Sequence, residues 1–188
     1  VNPVMNGNAI VSSAFGTGPL TLGDAGTSTS GTIVLGVATS LPNNVFINGT
    51  GTISSGAATA NQTISGVIAD GPNLGQSITF NPTVSGKTLE VSGNNTYTGP
   101  TTINSSVNAA VIISHANALG SGVSGTTIVG TMKLKGDITV NEPISAGSSA
   151  TLGSLSGSNT FTSTFNTTNF TGTTISSDSG SNLTFAPT

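Results

Sequence analysis

Short apolar alternations recur along the chain about every ten to twelve residues, each bounded by Gly, Asn, Ser or Pro. Alternation with a period of two is typical of short, half-buried strands, and no helical periodicity longer than two turns occurs. The pattern therefore predicts an all-β protein. Outside its central stretch, the predicted strand segments are Leu20–Leu22, Thr32–Leu35, Val45–Ile47, Thr52–Ile53, Thr63–Ile68, Ser77–Phe80, Thr88–Val91, Thr126–Val129, Met132–Leu134, Asp137–Val140, Thr151–Leu152, Thr160–Phe165, Phe170–Ile175 and Asn182–Phe185.

The clearest copy of the pattern is the central stretch 92–122. Its residues Thr96–Thr98 alternate β-branched and aromatic side chains, which suits a pleated strand. Gly99-Pro100 breaks that strand, Thr101–Ile103 begins another, and the apolar run Val111–Ile113 follows a longer corner. This stretch predicts a repeating unit of strand, corner, strand and longer corner.

Two β architectures compete for strands this short. A sandwich would need hairpins, and the turn dipeptides Asn6-Gly7, Asn48-Gly49 and Asp70-Gly71 are present. However, aromatic residues make up only 4% of the chain, and strands of three to five residues are short for a sandwich core. We predict one parallel β-solenoid domain over residues 1–188, with about eight coils in a rod near 40 Å long. The predicted inward positions are Leu20/Leu22, Ile33/Leu35, Ile78/Phe80, Leu89/Val91, Ile138/Val140 and Phe161/Phe165.

Composition narrows the classes of function. Only 5% of the residues are charged, 34% are hydrophobic and the formal net charge is −3, which argues against disorder. Three lysines without any arginine give no electrostatic basis for binding nucleic acid, and no apolar run is long enough to span a membrane. The absence of cysteine excludes disulfides and thiolate–metal sites.

The central stretch also resembles a known family. Asn95-Thr96-Tyr97-Thr98-Gly99 and Ala116-Asn117-Ala118-Leu119-Gly120 resemble the passenger-associated repeat of bacterial autotransporters, and the resemblance extends over roughly residues 16–165. It implies a right-handed parallel β-helix displayed outside a Gram-negative cell. Pro100 departs from the glycine usual at that position, and 105–110 is longer than the usual turn. We expect the chain to be a segment or mature piece of a longer surface protein.

Candidate catalytic groups are sparse. Glycoside hydrolysis needs two carboxyls about 5–10 Å apart, and Asp137 and Glu142, on either side of a predicted strand, are the nearest pair in sequence. His115 is the only histidine, and its neighbour Ser114 should point to the opposite strand face. Isolated carboxylates and one histidine provide no metal shell. We therefore expect no enzymatic activity, no metal and no cofactor.

Three charged residues form the candidate contact site. Lys133, Lys135 and Asp137 alternate with Met132, Leu134 and Ile138, so all three charges should lie on one strand face. A small polar contact site is the functional interpretation. A solvated face that discourages lateral aggregation is the structural alternative, and the sequence favours it.

The leading functional hypothesis is a non-enzymatic extracellular solenoid, acting as a surface stalk, an adhesin segment or a fibre subunit. Since no capping helix is visible at either end, we expect further coils or end-to-end association with copies of the chain. Glycans or a host surface are the other expected partners. The alternatives are a glycan- or ice-binding face, suggested by threonine pairs, and a polysaccharide-degrading enzyme. The threonine pairs are Thr27/Thr29, Thr162/Thr164 and Thr171/Thr173.

Overall fold

The computed structural model describes residues 4–5, 7–11, 16–27, 29–36, 40–56, 60–106, 108–166 and 172–187, with only the backbone given for 4–11. These residues form 22 strands and no helix. The first eleven strands are β1 (Val4–Met5), β2 (Gly7–Val11), β3 (Leu20–Leu22), β4 (Gly31–Leu35), β5 (Ser40–Leu41), β6 (Val45–Ile47), β7 (Gly51–Ser55), β8 (Gln62–Ile64), β9 (Ile68–Asp70), β10 (Ile78–Pro82) and β11 (Thr88–Val91). The other eleven are β12 (Thr101–Ile103), β13 (Ala110–Ile113), β14 (Thr126–Ile128), β15 (Thr131–Lys135), β16 (Thr139–Val140), β17 (Ile144–Ala146), β18 (Thr151–Ser156), β19 (Ser158–Phe161), β20 (Phe165–Asn166), β21 (Thr174–Ser177) and β22 (Asn182–Phe185).

The strands stack turn upon turn into four parallel sheets. Sheet 1 has the order β1-β3-β6-β9, and sheet 2 has the order β2-β4-β7-β10-β12-β14-β17-β20. Sheet 3 has the order β21-β18-β15-β13-β11-β8-β5, and sheet 4 has the order β16-β19-β22. The chain is thus a β-solenoid of about seven turns, which confirms the predicted fold class, while its hand stays a prediction.

The core is a set of columns, because successive turns keep their register. In sheet 2, Ile53 pairs with Phe80, Phe80 with Ile103, and Ile103 with Ile128, and all four side chains are buried. Burying one such side chain contributes about 1.5–3 kcal/mol to the free energy of folding. Each further turn therefore adds a similar increment of stability. Of the predicted inward positions, all are fully buried except Ile138 and Phe165, which are partly buried.

Buried asparagines tie neighbouring turns together at the corners. Asn95 Oδ1 accepts a hydrogen bond of 2.8 Å from Ile68 N in one turn, and its Nδ2 donates to Ala118 O in the next at 2.6 Å. Asn159 Oδ1 accepts a 3.0 Å hydrogen bond from Ile138 N in the preceding turn, and its Nδ2 donates to Ser156 O of its own turn at 2.9 Å. These amides satisfy backbone groups where the chain leaves the regular ladder.

Two of the predicted strand assignments were wrong. Thr96–Thr98 forms no regular strand, because Asp70 Oδ2 accepts hydrogen bonds from the Thr98 N–H at 2.9 Å and from the Thr98 hydroxyl at 2.7 Å. This side chain replaces part of the backbone ladder between the two turns. Asp137 is not a strand residue either, since it adopts a left-handed φ of 62° in the corner before β16.

The turn dipeptides form corners of the coil instead of hairpins. Asn48-Gly49 follows β6, and Asp70-Gly71 lies at the end of β9. These two strands pair with each other in parallel, so neither dipeptide closes an antiparallel hairpin. Asn6 lies outside the described residues.

Candidate functional site

The predicted contact residues lie on or beside sheet 3. Lys133 and Lys135 are half-buried on the outer face of β15, whereas Asp137 is exposed in the following corner. The structure therefore keeps the two lysines on one strand face and separates Asp137 from that strand. Asp137 Oδ1 accepts a 2.7 Å hydrogen bond from Ser158 N in the next turn, so this carboxylate has a structural partner.

Both lysines form ion pairs that span two turns. Lys133 Nζ lies 2.8 Å from Asp178 Oδ1, and Lys135 Nζ lies 3.0 Å from Glu90 Oε2. The partners are separated by 45 residues in each case. The two pairs run in opposite directions along the rod and form a neutralised charged strip, defined by Glu90, Lys133, Lys135 and Asp178.

The residues beneath the strip leave room for the long lysine side chains. Ile112 lies on β13 between Glu90 and Lys133 in register, and it is only 3% exposed although it faces outward. A Cβ at Gly153 would lie 3.3 Å from Lys133 Cγ, so the glycine leaves room for the lysine stem on its way to Asp178. The apolar stems thus cover the sheet while their charged ends pair.

Each of the six carboxylates in the chain has a structural partner. Asp24 caps its own turn through Gly26 N at 2.7 Å, and Asp70 binds the backbone and hydroxyl of Thr98. Glu90 and Asp178 pair with the two lysines, Asp137 binds Ser158, and Glu142 binds Thr126. No group of three His, Cys, Asp or Glu side chains able to hold a metal occurs in the part of the chain that the structure describes.

The candidate catalytic pair is divided between the surface and the interior. Asp137 is exposed, whereas Glu142 is 4% exposed and accepts a 2.9 Å hydrogen bond from the Thr126 hydroxyl. Two carboxyls that act on one glycosidic bond must both reach the sugar. This geometry does not support Asp137 and Glu142 as a catalytic pair. The lack of enzymatic activity stays a prediction.

A buried polar network lies at the junction of the central turns. Tyr97 is fully buried, and its hydroxyl lies 2.7 Å from Thr101 Oγ1. Thr101 pairs in register with Thr126, which donates to Glu142 Oε1. Tyr97 is therefore a packed residue of the core.

Burial controls the ionisation of this network. It raises the pKa of the Glu142 carboxyl to about 7, and the hydrogen bond from Thr126 offsets only part of the rise. Burial likewise raises the pKa of the Tyr97 hydroxyl far above its ordinary value, opposed by the Thr101 bond and reinforced by the nearby Glu142. Glu142 lies two positions after the inward-facing Val140, so a period of two predicts that it also faces inward. This signal was available in the sequence and argues against a catalytic pair with Asp137.

His115 has a local structural role. Its Nδ1 accepts a 3.1 Å hydrogen bond from Asn117 N, and its carbonyl accepts another from Ala118 N at 3.1 Å. These bonds close the turn after β13. Ser114 Oγ is buried without a hydrogen-bond partner, so the structure gives no nucleophile–base contact between the two neighbours.

The last turn leaves the end of the core columns uncovered. Ile175 is in register with the buried Leu152, yet it is 52% exposed. Phe185 stacks on the buried Phe161 with ring centroids 5.8 Å apart, and it meets Phe165 edge-on at 4.9 Å. Leu183, Phe165 and Phe185 are only partly buried against the core. This open end, defined by Phe165, Ile175, Leu183 and Phe185, presents apolar side chains that another turn would cover.

The chain matches no family model, no curated protein and no solved structure. Its kinship with autotransporter passenger repeats therefore stays a prediction that rests on the central stretch. Among the residues described, no helix is long and apolar enough to cross a membrane.

Proposed function

We propose that this chain is a non-enzymatic structural and adhesive rod: a stalk, adhesin segment or fibre subunit outside the cell. The observation that carries the proposal is the open end. Its inward-facing Ile175 is 52% exposed, although the residue in register one turn earlier is fully buried. An apolar column that stops at the surface is stabilised when further parallel strands continue it.

The two ends of the rod are suited to each other. Strands β1, β2 and β5 end sheets 1, 2 and 3 on one side, and β20, β21 and β22 end sheets 2, 3 and 4 on the other. Every pairing among the described strands is parallel, so the hydrogen-bonding groups at one edge complement those at the opposite edge. Head-to-tail contact between two copies is heterologous, and repeating it produces an open filament instead of a closed dimer.

The outer surface also suits a rod that meets water and other surfaces. Glycine, hydroxyl and amide residues replace most of the charges of an ordinary soluble domain, with only 5% of residues charged. The two ion pairs on sheet 3 neutralise four of these charges. The extracellular location rests on the resemblance of residues 92–122 to autotransporter repeats.

Sedimentation velocity over a range of concentrations tests the rod proposal. We expect the wild-type chain to form oligomers whose size grows with concentration, and filaments visible by electron microscopy. Ile175→Lys should weaken association at least about tenfold, because it places a charge in the apolar contact. The matched control Val123→Lys changes a valine that is 75% exposed on a corner, and it should leave association unchanged.

Two results would contradict this proposal. One is a wild-type chain that stays monomeric at every concentration. The other is an equal effect of the two lysine substitutions, which would show that charge alone weakens association.

A second function is favoured by a column of threonines on the outer face of sheet 2. Each residue of the column pairs in register with the next, at the spacing of about 4.8 Å between parallel strands. The predicted threonine pairs do not form such a column. Thr27 and Thr29 lie on an exposed turn, Thr162 and Thr164 lie in the corner between β19 and β20, and Thr171 is outside the described residues. The column consists of Thr32, Thr52, Thr79, Thr102 and Thr127.

A regular hydroxyl face can bind a regular surface such as ice, and thermal hysteresis measures this directly. We expect a measurable hysteresis gap that Thr102→Lys abolishes, because the lysine interrupts the middle of the column. Thr63→Lys alters a threonine of β8 in sheet 3 and should keep the gap. No gap in the wild-type chain would exclude ice binding and leave the rod proposal untouched.

A further inference from the structure

A groove crosses the corners between sheets 2 and 3, and it arises from unequal corner lengths. The corner between β14 and β15 consists of Val129 and Gly130 alone. The described residues of its neighbours are 104–106 and 108–109 on one side and 147–150 on the other. The short corner is recessed between two longer ones. Since adjacent turns lie about 4.8 Å apart, the two walls stand about 10 Å from each other.

The floor of the groove is fixed by close backbone contact. A Cβ at Gly130 would lie 2.3 Å from Ser105 Oγ, so only glycine fits there. Ser105 Oγ accepts a 2.7 Å hydrogen bond from Thr131 N, and Val129 N donates to Ile103 O at 2.8 Å. Val129 itself is 51% exposed and provides an apolar patch on the floor.

One wall is also held in place from outside the groove. Ser106 N donates to Pro82 O at 3.0 Å, and Gly86 N donates to Asn108 O at 2.8 Å, which ties one wall to the preceding turn. Asn108 and Ser149 adopt left-handed φ values of 63° and 66°, uncommon for residues other than glycine. The floor and this wall are therefore preformed, as small-ligand sites usually are.

The lining defines the chemistry of a ligand. The groove encloses about 380 Å³, within the range of about 300–1,000 Å³ for small-ligand sites. Its described lining is Ser105, Ser106, Asn108, Val129, Gly130, Thr131, Ser149 and Thr151, and none of these side chains is ionisable. Exposed hydroxyl and amide groups on the walls both donate and accept hydrogen bonds, as a polyol requires.

We propose that this groove binds a neutral saccharide unit, with the sugar's C–H face on Val129 and its hydroxyls against Ser106, Asn108 and Ser149. The rod function does not require such a site, and the groove would give one side of the rod an adhesive contact. Because no aromatic ring lines the described groove, we expect weak binding, with a dissociation constant of about 1 mM.

NMR titration of the ¹⁵N-labelled 188-residue chain with neutral tetrasaccharides tests the proposal, at a chain concentration low enough for sedimentation velocity to show the monomer. The probes are cellotetraose, chitotetraose, maltotetraose and mannotetraose, with tetragalacturonate as the charged comparison. We expect at least one neutral probe to shift the amides of 105, 129–131 and 149–151. Val129→Glu should weaken that binding at least about tenfold, whereas Val123→Glu, on another exposed corner, should leave it unchanged.

Three outcomes would overturn the inference. They are no shift with any neutral probe, shifts that lie outside the groove, and a groove preference for tetragalacturonate. If circular dichroism shows that Val129→Glu does not fold, Asn108→Ala replaces it, and the map of wild-type shifts decides the site independently.

Discussion

Replacing Gly99 with alanine is expected to destabilise the solenoid by roughly 3 kcal/mol or more, among the largest effects of any single substitution. An added Cβ would lie 2.0 Å from Gln76 O and 2.7 Å from Gly75 C, and both atoms belong to the backbone of the preceding turn. That turn is held in place by hydrogen bonds from Gly75 N to the Thr98 hydroxyl at 3.1 Å and from Ile78 N to Pro100 O at 3.0 Å. The two turns must separate before the methyl group fits.

Urea unfolding followed by circular dichroism measures this cost, with Gly86→Ala as the matched control. Gly86 has a φ of +72°, and a Cβ there would meet no atom within 4 Å. Its substitution therefore tests backbone strain alone, about 1–2 kcal/mol. A similar cost for the two variants would show that the close approach at Gly99 relaxes easily and contributes little.

The second large effect is a pH dependence set by Glu142. Burial raises the pKa of this carboxyl to about 7 in the folded chain, against 4.5 for the ordinary group. The folded chain thus keeps a proton that the unfolded chain loses between these values, so stability falls as the pH rises through this window. The resulting stabilisation is complete below pH 4.5 and is lost above about pH 7, an effect of up to about 3 kcal/mol.

Glu142→Gln should remove this pH dependence. The glutamine carbonyl can still accept the hydrogen bond from Thr126, and it carries no charge at any pH. We expect the variant to match the wild-type chain near pH 4 and to be more stable near pH 8, as measured by urea unfolding at both values.

Glu90→Gln is the control, because it removes a carboxylate from the charged strip and leaves the buried one in place. If the wild-type chain keeps the same stability at both pH values, Glu142 is not buried as described. If Glu90→Gln flattens the profile as well, the dependence has another origin.

The alternation of apolar residues was sufficient to predict the core. Leu89 and Val91 alternate with Thr88 and Glu90, and the structure buries the first two and leaves the others half-buried. A period of two determines which face each residue takes, and a parallel coil of short strands needs little else from the local sequence. The fold class therefore followed from pattern and composition.

Contacts between turns could not be predicted in the same way. Hydrogen bonds between adjacent turns join residues from 16 to 28 positions apart, because the corners vary in length. Without the register, no sequence argument pairs Lys135 with Glu90, or shows that Asp70 replaces the ladder at Thr98. The groove was missed for the same reason, since its two walls and its floor belong to three different turns.

The position of Asp137 shows a limit of strict alternation. Its spacing from Lys135 suggested a shared strand face, but Gly136 has a φ of 96° and Asp137 a φ of 62°. Two consecutive left-handed residues end the strand, and the period of two no longer applies beyond them. The Gly-Asp dipeptide was the available signal, because it is typical of turns.

The charged strip has a mechanical consequence. A rod pulled from its ends would unzip one turn at a time, since each turn contacts only its neighbours through the ladders. Lys133 and Lys135 instead each form an ion pair with a residue two turns away, in opposite directions along the rod. Peeling off the turn that carries Asp178 loads β15 directly, and peeling from the other end does the same through Glu90. Tension in the segment 90–178 is thereby shared among several turns, so this part of the rod should yield last under load.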